Sequence, residues 1–296
     1  MTRCGFIAVV GAPNAGKSTL VNAIVGQKVA ITSAKAQTTR TRLMGIAIAD
    51  DAQIILIDTP GIFAPSRRFD RAMVAAAWGG AEGADAICLT VDATKGMDSK
   101  LRPILEVLAS RSEPILLILN KVDALAKEPL LALAAQLHAA IPFAETFFVS
   151  ALTGDGVAEL KSHLAARIPE GVWHFPADEV SDASERLLAA EITREQIFRQ
   201  LHAELPYASA VETEKFTTRK DGSAEIHQQI LVERDSQKAI FLGKRGARIR
   251  ELGSRARAEI AEQLGRKVHL FLHIKVKPDW DEDRGVYRDI GLDWVD

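Results

Sequence analysis

Five short runs, residues 6–10, 53–57, 86–91, 115–119 and 146–149, are apolar at nearly every position. Strands buried on both faces have this character, because neither side of the pleat meets water. Longer segments follow them in which apolar residues recur at helical spacing: 17–25, 68–80, 99–110, 129–140 and 157–167. The alternation predicts an α/β domain with a mostly parallel, doubly wound sheet, whose ligands bind beyond the carboxyl ends of the strands. The rhythm breaks at residues 169–178, which hold two prolines and a glycine. We read residues 1–172 as the first domain, 173–180 as a linker and 181–296 as a second domain. There, residues 182–204 read as a helix capped by Asp182 or Ser181. Residues 209–218 and 225–233 alternate like two strands joined around Asp221-Gly222, a hairpin-turn pair. Short helices at 236–242 and 247–264 and a closing strand at 268–277 complete it. The last residues, 279–296, are acidic, contain two tryptophans and have no pattern that assigns them a structure.

The length of 296 residues agrees with two domains. No apolar run approaches the ~18 residues of a membrane span, and the run at 6–10 is too short for a signal-peptide core. The two cysteines, Cys4 and Cys88, fall in predicted strands without metal spacing. They read as small buried thiols in a reducing cytoplasm, not as a disulfide framework. The net charge of −2 conceals a basic block: residues 236–277 carry 11 basic against 3 acidic side chains, and residues 278–296 carry 2 against 7. Such asymmetry points to a polyanionic partner.

Gly11-Ala12-Pro13-Asn14-Ala15-Gly16-Lys17-Ser18, followed by Thr19, fits G-x-x-x-x-G-K-[ST] between a strand and a helix. Its glycines let successive N–H groups point at phosphate oxygens, and the helix adds its positive end. Lys17 brings a charge to the β- and γ-phosphates, and the Ser18 hydroxyl suits Mg²⁺. Asp58-Thr59-Pro60-Gly61 ends a strand: Asp58 can hold Mg²⁺ through water, and the Gly61 N–H can sense the γ-phosphate. Between them, Ala36-Gln37-Thr38-Thr39-Arg40 occupies the place of a first switch, with Thr39 the second Mg²⁺ hydroxyl and Thr38 its rival. Asn120-Lys121-Val122-Asp123 follows the fourth strand. Asp123 can accept from guanine N1–H and N2–H₂, donors that adenine lacks, so the pocket discriminates by about 10⁴ or more. Lys121 can lie along the base, and Asn120 can tie this loop to the phosphate loop. Ser150-Ala151-Leu152 can offer backbone N–H groups to guanine O6.

Gly243-Lys244-Arg245-Gly246 lies between two helical segments. This is the layout of a KH domain, in which a G-x-x-G loop clamps about four nucleotides of single-stranded RNA. Lys244, Arg245, Arg248 and Arg250 supply charge for phosphates. The order helix–strand–strand–helix–helix–strand matches the type II KH arrangement, with its core at about residues 202–278.

With these motifs in place, the chain resembles the Era-type family of bacterial ribosome-assembly GTPases over nearly its whole length. The resemblance rests on G-A-P-N-A-G-K-S-T, A-Q-T-T-R, D-T-P-G, N-K-V-D and S-A-L in the first domain, and on F-L-G-K-R-G-A-R-I-R and V-H-L-F-L-H-I-K-V-K in the second. It implies slow GTP hydrolysis, catalysed by Lys17, Thr39 and Gly61, and a role in 30S subunit assembly. It implies binding of the single-stranded 3′ end of small-subunit (16S) ribosomal RNA by a monomer in the cytoplasm, with peripheral contact on the inner face of the cell membrane. Ile62 stands where Ras-type enzymes carry the glutamine that orients the attacking water. Asn14 resembles the asparagine that ligates K⁺ in related GTPases. A GTP-driven switch, an RNA-binding factor with little turnover, and an RNA-stimulated ATPase all accommodate a phosphate loop joined to an RNA module; Asp123 argues against the last.

Overall fold

The computed structural model describes every residue except 34, 36, 37 and 203. It divides into two compact units, Met1–Asp182 and Ala183–Asp296. The first contains β1 (Arg3–Val10), α1 (Lys17–Val25), β2 (Leu43–Ala49), β3 (Ala52–Asp58), α2 (Arg68–Gly79), β4 (Ala86–Asp92), α3 (Leu101–Leu108), β5 (Ile115–Asn120), α4 (Lys127–Ala140), β6 (Glu145–Val149) and α5 (Val157–Arg167). The sheet runs β2-β3-β1-β4-β5-β6, antiparallel only between β2 and β3. Every residue of β3, β4 and β5 is buried, as the unbroken apolar runs require. Leu101, Ile104 and Leu108 of α3 and Leu130, Leu133 and Leu137 of α4 pack with Leu89 and Leu117 on one face. Helices α1 and α5 pack against each other and against β2 and β3.

Strand β2 was not expected from the sequence. Its Gly45 lets α1 approach closely: a Cβ there would lie 2.8 Å from Val21 Cγ1. The stretch read as a linker, and the residues just before it, are bonded to the first unit. The Glu170 backbone bridges Arg3, and Gly171 N donates to Thr2 O. Buried Gln53 accepts from the backbone N–H groups of His174 and Phe175 and donates back to Phe175 O. Further on, Ile46 N donates to Val180 O, and Met44 N to the Asp182 carboxylate. Asp182 therefore braces β2 instead of capping a helix. Ser184 is the N-cap, accepting from Leu187 N.

The second unit contains α6 (Glu185–Gln200), β7 (Ser209–Thr218), β8 (Ala224–Val232), α7 (Asp235–Leu242), α8 (Ala247–Leu264), β9 (Val268–Val276) and α9 (Arg284–Ile290). Its sheet runs β7-β8-β9, with β8–β9 parallel. Ile226 and Ile230 of β8, with Val268 and Ile274 of β9, face α6 and α8 and form the core with Ile192, Ile197, Leu252 and Ile260. The acidic tail joins this unit: Trp280 and Tyr287 are 1% exposed, and the Trp280 indole donates to Ala208 O.

Candidate functional site

The phosphate loop, D-T-P-G, N-K-V-D and S-A-L each follow the carboxyl end of a strand, while Thr38 and Thr39 lie between α1 and β2. After β1 the phosphate loop turns through left-handed backbone at Asn14 (φ 65) and Gly16 (φ 94). A Cβ on Gly11 would lie 2.3 Å from Thr90 O, and one on Gly16 would lie 2.2 Å from Asn120 Nδ2. Both glycines are therefore required by close approach as well as by backbone shape. Lys17, 6% exposed, folds back over the loop and donates to Gly11 O and Ala12 O, each at 3.1 Å. Burial lowers its pKa to about 8, with neighbouring Asp58 opposing the shift. Thr19 lines the same cleft, next to Pro13, Lys17 and Ser18.

Ser18 Oγ donates to Asp58 Oδ2 at 2.7 Å, Thr39 Oγ1 donates to the same oxygen at 3.2 Å, and the two hydroxyls lie 2.8 Å apart. Asp58 is fully buried, and burial raises its pKa against the pull of Ser18, Lys17 and Thr39. Its Oδ1 is buried with no hydrogen-bond partner among the described residues. Two hydroxyls gathered on one oxygen of a buried carboxylate whose other oxygen is unpartnered make a set of hard oxygen donors that suits Mg²⁺. Thr38 instead donates to Lys35 O, so the fold brings Thr39 and not its rival to Asp58. Ala36 and Gln37 lie outside the described residues.

Thr59 is turned away from the cleft, its hydroxyl donating to Val9 O, and Pro60 is buried beside it. The Gly61 backbone packs directly on the phosphate loop, where a Cβ would meet Pro13 at 2.8 Å. Ile62 N donates to Gly11 O, and its side chain is buried in the core.

Asn120 joins three loops: Nδ2 donates to Ala15 O at 2.9 Å, and Oδ1 accepts from Lys121 N and Ala151 N. Lys121 has φ 68 and donates from Nζ to Asn14 O at 2.8 Å. Val122 and Asp123 form a single 3-10 turn, and Asp123 is exposed. Ser150 is buried, its Oγ accepting from Thr153 N, whereas Leu152 is 82% exposed.

The sequence did not reveal Asp92, at the end of β4. Its Oδ2 lies 2.7 Å from Lys121 Nζ, and its Oδ1 accepts from the Thr94 hydroxyl and N–H. Those bonds, foremost the one from Lys121, hold its pKa below the ordinary carboxylate value despite the opposing effect of burial. Its signal was an aspartate ending an apolar strand, as Asp58 does, but with no motif around it.

In the second unit, Gly243 (φ 67), Arg245 (φ 52) and Gly246 (φ 73) carry the chain between α7 and α8. A Cβ on Gly243 would lie 2.8 Å from Arg248 Cβ. Lys244, Arg245, Arg248 and Arg250 are all exposed. Two of these brace the loop as well: Arg248 donates to Ile240 O and Arg250 to Arg245 O, at 2.8 and 2.9 Å. Ile240 is 42% exposed, while Ile249 packs on the core.

A phosphate loop, a hydroxyl–carboxylate cluster and an N-K-x-D loop on a doubly wound sheet define a P-loop GTPase domain. Residues 6–121 match the 50S ribosome-binding GTPase model, and residues 204–281 match the KH domain model. The chain is 63% identical to GTPase Era of Erythrobacter litoralis over 299 residues, covering 100% of this chain and 98% of the relative, and 55% identical to GTPase Era of Bradyrhizobium, covering 99% and 95%. It belongs to the Era family of GTPases. The structure of Era in complex with MgGDPNP and nucleotides 1506–1542 of 16S ribosomal RNA superposes with a TM-score of 0.93 at 37% identity, covering 98% of this chain and 99% of that one. An Era variant from Aquifex aeolicus bound to GDP and AlF₄⁻ matches with the same TM-score, identity and coverage.

Proposed function

We infer that this GTPase binds GTP and Mg²⁺ in the first unit and the 3′ end of 16S ribosomal RNA in the second, and acts in 30S subunit assembly. The observation that carries the nucleotide half is the Asn120 junction, which holds the phosphate loop and the Ala151 backbone together while Asp123 stays exposed for the guanine edge. Lys17 supplies the charge for the β- and γ-phosphates, and Ser18, Thr39 and Asp58 hold Mg²⁺, which when bound neutralises charge on those phosphates. The Gly61 N–H faces the γ-phosphate, and Asn14, which lines the cleft, offers an amide oxygen to K⁺. The Ile62 side chain has no polar atom and is buried, so no side chain at that position orients water and unassisted hydrolysis is slow.

RNA is held at Gly243–Gly246, with Lys244, Arg245, Arg248 and Arg250 contacting its backbone. Binding of such RNA by a relative with a TM-score of 0.93 supports this reading. We take the protein to be a monomer that works on ribosomal particles in the cytoplasm, any membrane contact being peripheral. Among the described residues no helix is long and apolar enough to cross a membrane.

Binding of GTP, ATP and xanthosine triphosphate to the wild type and to Asp123→Asn tests the core of this reading. The wild type should select GTP, and the variant should prefer the xanthine nucleotide. Equal binding of ATP and GTP by the wild type would overturn it.

A further inference from the structure

Strand alternation in the second unit sends Ile226, Ile230, Leu270 and Ile274 towards the helices. It therefore sends Glu225, His227, His269, Phe271, His273 and Lys275 to the opposite face. A β-bulge between Thr213 and Lys215 re-phases β7, so that Lys215, His227 and Phe271 form one row across the three strands. Within that row the His227 and Phe271 rings stack, with centroids 4.6 Å apart and planes 19° apart. Phe271 is nonetheless 48% exposed. An exposed aromatic in mid-strand, with His227 stacked on it and nearly half its surface in water, offers that surface to another flat ring.

Cations flank the pair, Lys215 on β7 and Lys275 on β9. Glu225 accepts from Lys215 and Arg219, both at 2.8 Å, and from His227 at 2.9 Å, so its charge is answered within the face. Lys275 and His273 are exposed further along β9. Two acidic side chains neighbour the pair on β7: Glu214, whose carboxylate accepts from the Gln229 amide, and the half-buried Glu212, whose charge is met by Lys277 and Lys275. Aromatic rings set among cations on an uncovered sheet are how single-stranded nucleic acid is bound without a groove, each base stacking on a ring while cations track the backbone. The relative's RNA, nucleotides 1506–1542, is far longer than the about four nucleotides that a G-x-x-G loop clamps.

We propose that the exposed part of the β7-β8-β9 sheet around the His227–Phe271 stack, with Lys215 and Lys275 beside it and Leu231 and Ala210 buried at the far end, is a second binding surface for single-stranded RNA. It engages nucleotides beyond those held at Gly243–Gly246. The proposal rests on the KH reading of that loop, and the two can fail separately.

The test uses the full chain with a GTP analogue and two single-stranded RNAs that share the 3′ end of 16S ribosomal RNA, one about 5 and one about 15 nucleotides long. Joint replacement His227→Ala and Phe271→Ala should weaken the longer RNA about tenfold, the loss of roughly one stacked base, and leave the shorter one unchanged. Phe271→Tyr, which keeps the ring, should bind the longer RNA like the wild type. Lys244→Glu with Arg245→Glu should weaken both RNAs; if it weakens neither, the KH reading fails instead. Equal loss on both lengths in the His227/Phe271 variant, or no loss on either (as for a face reserved for a protein partner), would overturn the second surface. So would a Phe271→Tyr variant as weak as the alanine variant.

Discussion

Lys121 Nζ lies 2.7 Å from Asp92 Oδ2 and 2.8 Å from Asn14 O, so one ammonium ties the exit of β4 and the phosphate loop to the guanine-reading loop. The Asp92 side chain is 8% exposed and the Lys121 side chain 38%, so the pair is only partly screened by water.

Loss of that anchor should leave Lys121 free to swing away from the base. Asp92→Asn is expected to speed release of GTP and GDP alike by roughly tenfold, the scale of one charge-assisted hydrogen bond, without changing the choice between guanine and xanthine. Stopped-flow release of a fluorescent nucleotide measures it. If Asp92 acts through Lys121, adding the change to Lys121→Met should cost little more.

Lys17 carries a pH signature. Its folded pKa of about 8 lies below the unfolded value near 10.4, so between them the unfolded chain holds the extra proton and this group alone makes stability rise with pH. Phosphate binding needs the charged ammonium and runs the other way. The dissociation constant for GDP should rise above about pH 8, approaching tenfold per pH unit. A constant affinity from about pH 7 to 9 would contradict the burial of this lysine.

Asp58 is held at a cost in the protein without nucleotide. Its pKa is raised by burial, so the folded state disfavours the carboxylate, and the penalty fades as pH falls into the range where it protonates. Asp58→Asn removes the buried charge and should raise the melting temperature of the nucleotide-free protein by about 2–4 °C, or roughly 1 kcal/mol. The same change should raise the Mg²⁺ concentration needed for GTP binding. Calorimetry and a Mg²⁺ titration read the two effects.

The tail supports the second unit. Trp280→Ala empties a site that is 1% exposed and should cost about 3–5 kcal/mol there. RNA binding should fall with it, while GTP binding by the first unit persists. Urea unfolding followed beside nucleotide binding separates these outcomes.

Most of the first unit was legible because β3, β4 and β5 are buried throughout, and burial on both faces leaves an apolar run with few other readings. Strand β2 escaped because Leu43–Ala49 is short, interrupted in sequence by Gly45 and without polar alternation, although only Asp50-Asp51 separates it from β3, its antiparallel partner. The phosphate and guanine loops were legible because their chemistry is local: a few consecutive residues surround one ligand. Asp92 was not, since its partner Lys121 is 29 residues away and only the folded sheet brings them together. The cap of α6 was misplaced for a similar reason, Asp182 being occupied by Met44 of β2. Trp280 and Tyr287 gave no period, because the turn and helix that bury them are shorter than a periodic signal requires.

The chain from Glu170 to Asp182 has a consequence for how this protein can be divided. Val180 and Ser181 cover the outer backbone of β2, which would otherwise offer unpaired N–H and C=O groups to any passing strand. A fragment ending at residue 172, where the helical pattern stops and the prolines begin, would keep every nucleotide motif and lose that cover. It would associate edge to edge, whereas one carried on to Asp182 would stay dispersed. The safe place to cut is set by the last hydrogen bond that leaves the sheet.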